Sequence, residues 1–359
     1  MSVRNAQLVV APNTAALALC SSSSHRLRVI ASVAFRNFKA LRSASVRLEP
    51  FNLVLGPNGS GKTSLIESLL HLRTLARLTA AETPSATSPD KNPDMAFRFR
   101  PPHEAIEIRL SCVDATMCNT LHVTPPNAPG WPALHREILR IRNFVFDPDA
   151  MTQPSSLSTG GELTRNGSNL AAVLAHWREH HPEAYEAFVA EALRLFPEYS
   201  AFSLESRGDG TVSLAFTLIG EVGIVEAANL SQGTLHVLAI LTLTFSPQPP
   251  SVICIEEIDR GVHPRMLRDV RDAFYRLAYP ESAGLDRKPV QVIATTHSPY
   301  LLDLFRDHPE EVILAQKRGR EAHFERLSDR PDLAELIEGG SLGDLWFSGI
   351  LGGVPEEKG

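Results

Sequence analysis

Cysteine is scarce in this sequence, which contains only four cysteines in 359 residues. Proteins that depend on a disulfide scaffold carry a much higher density of cysteine, so these thiols are expected to be reduced, as in a cytoplasmic protein. Cys112 and Cys118 lie near His122 in the sequence. Their spacing and the lack of a fourth ligand argue against a structural zinc site.

Long apolar runs are absent as well. The longest candidate, residues 237–245, has about half of the ~18 apolar residues that a membrane-spanning helix requires. The sequence therefore predicts a buried helix there and no membrane span. Heptad patterns and internal repeats are also missing, which excludes a long coiled coil and a solenoid.

Acidic residues are missing from the first 48 positions, which contain six arginines and a run of four serines. A flexible N-terminus before the first strand and an organelle transit peptide both have this composition. We predict that residues 1–26 form a flexible N-terminus.

The net charge of −6 gives no support for non-specific binding of nucleic acid by the chain as a whole. A local basic surface stays open, because Arg136, Arg140 and Arg142 follow Trp131. These residues are typical either of a nucleic-acid patch or of a solvated strand face.

A glycine-rich segment lies between an apolar run and a helical pattern. Residues 56–63, GPNGSGKT, fit the motif G-x-x-x-x-G-K-[ST]. In this motif the glycines let successive backbone N–H groups point at one anion, and the helix N-terminus adds partial positive charge. Lys62 is expected to reach the β- and γ-phosphates of a nucleotide, and the Thr63 hydroxyl to bind Mg²⁺. The predicted phosphate-binding residues are Asn58, Gly59, Ser60, Gly61, Lys62, Thr63 and Ser64.

Two acidic residues follow a second apolar run. Glu256 and Glu257 come directly after residues 252–255, which are all apolar. In a buried parallel strand these acids emerge at the carboxyl end of the sheet, where open α/β folds bind ligands. The first acid is suited to hold Mg²⁺, and the second to orient or deprotonate an attacking water.

A histidine follows a third apolar run. Residues 290–294 precede Thr295, Thr296 and His297, so His297 is predicted to lie at the same sheet edge as the two acids. A neutral imidazole in that position is suited to contact the γ-phosphate and the attacking water.

The set of motifs resembles the ABC-type ATPase heads of the RecF, SMC and OLD-like AAA family ATPases over most of residues 28–316. The similar segments are VAFRNFKAL at 33–41, LEPFNLVLGPNGSGKTSLIESL at 48–69, RNGSNL at 165–170, LSQGT at 230–234, IEEIDRGVHP at 255–264 and ATTHSPYLLDLF at 294–305. Of these, LSQGT is similar to the family signature LSGGQ. It lies 25 residues before the carboxylates, counted from Ser231 to Glu256.

The resemblance implies ATP and Mg²⁺ as ligands and a homodimer in which two heads sandwich ATP. Ser231, Gln232 and Gly233 of one subunit would cap the γ-phosphate held by Lys62 of the other, and Asp259 would be the acid of the D-loop. Glutamate at position 256 departs from the usual aspartate, and Gln232 stands where glycine is usual. Gln153 is the candidate for the Q-loop glutamine, a further metal ligand.

The predicted fold is α/β: a P-loop NTPase with a mostly parallel sheet flanked by helices, an antiparallel β subsheet and a small helical lobe. We expect an ATPase domain at residues 27–330, an inserted lobe at about 147–228 and a C-terminal tail at 331–359. The separation of 169 positions between Lys62 and Ser231 is too short for an SMC-type coiled-coil arm, and the 62 residues after His297 are too few for an OLD-type nuclease.

The resemblance favours an ATPase that acts with DNA or with a protein partner in DNA repair or anti-phage defence. Two alternatives stay open at this point. One is a nucleotide-gated scaffold or sensor with little hydrolysis, and the other is the ATPase subunit of an ABC transporter.

Overall fold

The computed structural model describes residues 29–78, 92–114, 116–220, 223–319 and 321–352. The predicted flexible N-terminus at 1–26 lies outside these ranges. Within them, no helix combines the length and the apolar character that a membrane crossing requires.

A six-stranded sheet forms the centre of the fold, in the order β15-β14-β3-β13-β12-β7. Its strands are β3 (Phe51–Leu55), β7 (Ile141–Phe144), β12 (Val252–Ile255), β13 (Gln291–Thr296), β14 (Val312–Arg318) and β15 (Glu321–Arg326). All neighbours pair in parallel except β14 with β15. Every residue of β3, β12 and β13 is buried, as expected for parallel strands covered on both faces.

Two antiparallel sheets flank this centre. The first has the order β2-β1-β4-β5-β6, and the second joins β8, β9 and β11 to β10. Their strands are β1 (Ile30–Phe38), β2 (Leu41–Arg47), β4 (Asp94–Phe99), β5 (Glu107–Cys112), β6 (Cys118–Thr124), β8 (Ser155–Ser156), β9 (Tyr199–Ser206), β10 (Thr211–Leu218) and β11 (Ile224–Glu226). Among the described strands, parallel pairing is therefore confined to the central sheet, and two antiparallel sheets lie beside it where one antiparallel β subsheet was predicted.

Helices cover both faces of the central sheet. They are α1 (Lys62–Arg77), α2 (Trp131–Leu139), α3 (Pro148–Thr152), α4 (Leu170–His180), α5 (Pro182–Leu195), α6 (Gln232–Phe245), α7 (Leu267–Ala278), α8 (Pro299–Asp303), α9 (Leu333–Gly339) and α10 (Leu342–Phe347). Because side chains alternate along a strand, Ile253 packs in one hydrophobic cluster with α6 and α7, and Cys254 packs in another with α1.

Two predictions in this part of the chain need correction. The proline, serine, threonine and aspartate content of residues 81–96 predicts an exposed loop; residues 81–91 lie outside the described ranges, but β4 begins at Asp94 and buries Met95 and Phe97. The apolar residues within 138–146 predict a strand over that range, whereas α2 runs to Leu139 and β7 covers only Ile141–Phe144. The proline-rich stretch before α2 concealed it, although proline is compatible with a first helical turn.

The expectation of reduced cysteines also needs correction, because Cys112 of β5 and Cys118 of β6 form a disulfide. This bond removes both residues as zinc ligands. Among the described residues, Cys254 is the free cysteine, and it is buried.

The segment predicted as an inserted lobe contains α3, α4, α5 and the second antiparallel sheet. In the segment predicted as a C-terminal tail, α9 and α10 form. The amide of Gly343 donates a hydrogen bond of 2.8 Å to the Asp303 carboxylate of α8, so α10 is attached to the core of the fold. The exact domain boundaries stay predictions.

Candidate nucleotide site

The loop between β3 and α1 needs glycine at several positions for steric reasons. A Cβ on Gly56 would lie 2.3 Å from the Ala315 carbonyl oxygen and 2.4 Å from the Ser60 hydroxyl oxygen. Gly59 and Gly61 have φ angles of 76° and 97°, which L side chains rarely adopt. The loop can therefore curl tightly after the strand and present its backbone N–H groups on one side.

Lys62 and Ser60 supply polar groups inside this loop. The Lys62 amine donates hydrogen bonds to the carbonyl oxygens of Gly56 (2.6 Å) and Pro57 (2.9 Å). Burial lowers the pKa of Lys62 to about 8, although Glu257 and Glu256 act in the opposite direction. The Ser60 hydroxyl is buried without a hydrogen-bond partner. These features, with the uncapped N-terminus of α1, suit a bound phosphate group.

The two acids after β12 are held by the neighbouring strands. The Glu256 amide donates to the Phe144 carbonyl (3.1 Å) after β7. The Glu257 amide donates to the Thr295 hydroxyl (3.1 Å) of β13. Glu257 has a φ of 54°, a strained conformation for a residue with a side chain. This turn leaves 55% of the Glu257 side chain exposed at the sheet edge.

A cleft of about 230 Å³ brings the predicted phosphate loop, acids and histidine together. Its lining residues are Lys39, Ala40, Asn58, Gly59, Gly61, Lys62, Thr63, Ser64, Glu256, Glu257, Thr295 and His297. Burial, and then the charge of Lys62, lower the pKa of His297, so its imidazole is neutral at physiological pH and available as a hydrogen-bond partner. Ser60 lies in the loop wall instead, next to Gly56.

Three lining residues, Lys39, Ala40 and Thr295, had no assigned role in the sequence analysis. Lys39 forms an ion pair with Glu67 of α1, and it lies in the family-like segment 33–41, which precedes the strand of the phosphate loop. Thr295 could have been found, because it precedes His297 by two residues at the end of the same strand.

The predicted magnesium ligands Thr63 and Glu256 line the same cleft. A hydroxyl and a carboxylate are the hard oxygen donors that Mg²⁺ prefers. The two side chains present therefore fit this ion.

Gln153 is not brought to this cleft. It ends α3, its side chain is exposed, and its amide nitrogen donates to the Thr152 hydroxyl (3.2 Å). The chain after β7 first pairs with Arg165 and then enters α3, which is capped by Asp147. This path leads Gln153 away from Thr63, so we do not retain it as a metal ligand.

The signature-like segment contacts the D-loop-like segment of the same chain. Ser231 caps α6 by accepting a hydrogen bond from the Thr234 amide (3.0 Å). A Cβ on Gly233 would lie 2.2 Å from the Gly261 carbonyl oxygen, so only glycine allows this contact. Ser231 and Gln232 are exposed, and neither they nor Gly233 are among the described residues that line the phosphate cleft.

Asp259 is anchored close to His297 without lining the cleft. Its carboxylate accepts a hydrogen bond of 2.6 Å from the Thr296 hydroxyl, which in turn accepts from the Ser298 amide (2.9 Å). Burial raises the pKa of Asp259. The segment after β12 and the segment after β13 are therefore tied together by side chains.

Comparison with solved structures shows the fold of SMC heads. One is an SMC head bound to the C-winged helix domain of ScpA, with 15% identity, a TM-score of 0.54, and coverage of 83% of this chain and 97% of that chain. Two others are heads from Pyrococcus furiosus (14%, TM-score 0.53, coverage 86% and 99%) and Pyrococcus yayanosii (11%, TM-score 0.50, coverage 87% and 99%). The comparison with curated proteins found no match.

A family match covers residues 51–303, from β3 to the end of α8. This range is more than two thirds of the chain and includes the phosphate loop, both acids and His297. The chain thus belongs to the family described as "AAA domain, putative AbiEii toxin, Type IV TA system", and its fold is that of SMC heads.

Proposed function

We propose that this chain binds and hydrolyses ATP and that ATP brings two copies together head to head. The observation that carries the proposal is the convergence of Lys62, Thr63, Glu256, Glu257 and His297 on one cleft. Phosphoryl transfer to water uses the groups that this cleft combines: a phosphate-binding loop, a metal-binding pair, a base and a neutral imidazole.

Each side chain has a role that follows from its position. Lys62 and the loop amides bind the β- and γ-phosphates, with Lys62 giving up its contacts to the loop carbonyls. Thr63 and Glu256 would hold Mg²⁺, which would neutralise phosphate charge. Glu257 orients and deprotonates the attacking water, and His297 donates a hydrogen bond toward the γ-phosphate.

The dimer is supported by the position of the signature-like segment. Ser231 and Gln232 are exposed at the N-terminus of the 14-residue helix α6, outside their own phosphate cleft. A helix N-terminus with a serine cap is suited to meet an anion. In a two-fold dimer these residues would complete the site of the other subunit, as the family resemblance implies.

The catalytic part is tested by measuring ATP hydrolysis and ATP binding. Lys62→Ala should lose binding and hydrolysis together. Glu257→Gln should bind ATP and hydrolyse it at least about 100-fold more slowly, the usual loss for a missing general base. Unchanged turnover in Glu257→Gln would exclude this residue as the base.

The dimer is tested by mixing two inactive variants. Lys62→Ala lacks a working phosphate loop, and Ser231→Arg blocks the signature surface while leaving Lys62 intact. A mixed dimer contains one complete site, made of Lys62 from one copy and Ser231 from the other. Recovery of hydrolysis on mixing supports the composite site, and an active Ser231→Arg variant on its own would contradict it.

The biological setting is proposed from the family, whose description mentions a toxin of a toxin–antitoxin system. We propose an ATPase that works with DNA or a protein partner in repair or defence. Measuring ATP hydrolysis with and without double-stranded DNA distinguishes DNA from a protein partner. A rise in the hydrolysis rate with DNA that is lost in Lys62→Ala supports DNA as the activator, and an unchanged rate points to the protein partner.

A second candidate function is a nucleotide-gated scaffold with slow hydrolysis. It is favoured by Glu256, whose longer side chain stands where the family usually has aspartate. Turnover below ~0.01 per second, unaffected by DNA, would support it, because enzymes typically turn over faster than once per second.

A further inference from the structure

We propose that a second cleft, lined by four arginines beside α1, is a docking site for an acidic peptide segment of a partner protein. We call it the arginine cleft. Its guanidinium groups belong to Arg73, Arg77, Arg142 and Arg165. They come from α1, from β7 and from the loop before α4, so only the folded chain brings them together.

The arginine cleft is larger than the phosphate cleft and adjoins it. Its volume is about 590 Å³, and Thr63 and Glu256 line both clefts. Apolar side chains of Ile66, Leu70 and Leu163 also line it. A ligand in this cleft would therefore contact apolar groups, guanidinium groups and the edge of the nucleotide site at once.

The positive charge of the arginine cleft is only partly neutralised by the described residues. Arg142 forms an ion pair of 2.7 Å with Glu162 and donates to the Leu139 carbonyl (2.8 Å). Within the described ranges, Arg73, Arg77 and Arg165 have no ion pair. The buried Arg73 Nε atom has no hydrogen-bond partner.

The arginines also repel one another. Burial, and then the charges of Arg142 and Arg77, lower the pKa of Arg73 to about 10. Of the two acids that line the cleft, Glu67 is paired with Lys39. A local excess of unpaired guanidinium groups on a chain of net charge −6 indicates a specific anionic ligand rather than general attraction of nucleic acid.

The other lining groups favour a peptide over a nucleic-acid backbone. Asn143 is 7% exposed, and its side-chain carbonyl oxygen is buried without a donor. A peptide amide supplies the missing N–H donor, whereas the deoxyribose–phosphate backbone of DNA has no hydrogen-bond donor. The one aromatic residue in the lining, Phe144, is 2% exposed and so offers no stacking platform for bases. Carboxylates, amides and apolar side chains together match all the groups present.

The test is fluorescence anisotropy on the full chain without nucleotide. The probe is a fluorescein-labelled peptide that alternates Leu with Glu, and the reference is the same peptide with Gln in place of Glu. The double variant Arg77→Glu, Arg165→Glu changes two exposed side chains, so folding should be preserved. It should bind the acidic peptide about tenfold more weakly or worse, which is ~1.4 kcal/mol.

Arg268→Glu is the matched control, because Arg268 is exposed on α7 and does not line the cleft. Its affinity for the acidic peptide should equal that of the parent chain. Equal loss in the control, equal binding of the Gln peptide, or no peptide binding would overturn the proposal. The proposal would also be overturned if the chain bound a thymidine oligonucleotide, if the double variant lost that binding, and if the acidic peptide did not displace the oligonucleotide.

The binding assay does not depend on hydrolysis, so its failure is distinct from failure of the proposed ATPase function. The double variant should retain the ATP hydrolysis of the parent chain in the absence of peptide, because neither arginine lines the phosphate cleft.

Discussion

ATP binding should take up a proton at alkaline pH, because the Lys62 amine loses its proton readily in the nucleotide-free chain. Burial lowers the pKa of Lys62 from 10.5 to about 8. ATP places negatively charged phosphates against this amine and so favours its ammonium form. Binding therefore shifts the lysine back toward its charged state.

The size of the effect follows from the two pKa values. If ATP restores the value of 10.5, binding takes up about 0.5 proton at pH 8 and about 0.9 proton at pH 9. Only about one tenth of the free chain carries the charged lysine at pH 9, so the affinity for ATP should fall about tenfold between pH 7 and pH 9.

Titration calorimetry with Mg²⁺ and ATP measures this uptake when each pH is examined in two buffers of different ionisation enthalpy. The control is Lys62→Arg, because a guanidinium keeps its proton throughout this range and should show no uptake. Identical heats in the two buffers at pH 9, with ATP bound, would refute the reasoning.

Three further predictions concern stability, and denaturant unfolding measures all of them. Gly233→Ala should lower the free energy of unfolding by about 1–3 kcal/mol, because its Cβ would lie 2.2 Å from the Gly261 carbonyl oxygen. The control is Gly161→Ala, whose Cβ would meet no atom within 4 Å and which should not lower the free energy of unfolding. Glu257→Gly should raise the free energy of unfolding by about 1 kcal/mol, since glycine relieves the strain at a φ of 54°. The same variant should lose ATP hydrolysis, and a lower free energy of unfolding would contradict the prediction. Burial lowers the pKa of His236 from 6.5 to about 4. As the pH falls, the unfolded chain therefore takes up this proton before the folded chain does, and the free energy of unfolding should fall by about 2 kcal/mol from pH 7.5 to pH 5. His236→Gln should abolish this dependence.

The nucleotide cleft could be predicted from sequence because its signals are local. The motif at 56–63 fixes a strand, a loop and a helix within a few residues, and Glu256, Glu257 and His297 each end an apolar run. In a parallel sheet, such run ends meet at one edge. Accordingly, β12 and β13 coincide with the apolar runs at 252–255 and 290–294 to within two residues.

The predictions failed where a local pattern was ambiguous. β4 begins directly after a segment rich in proline and serine, and α2 begins inside a proline-rich stretch. Gln153 was chosen because it lies in a loop after the apolar residues 144–146, but α3 and the pairing of the segment before it determine where that side chain lies.

By itself, the sequence determined the chemistry of the proposed nucleotide site, because binding phosphate requires glycines, a lysine and a hydroxyl within one loop. Tertiary structure alone decided which distant residues share a surface. The arginine cleft brings together Arg73, Arg142 and Arg165. Likewise, Gly233 of α6 contacts Gly261 in the loop after β12. Such neighbours depend on how whole elements pack across the sheet, and no periodicity or spacing along the chain records that packing.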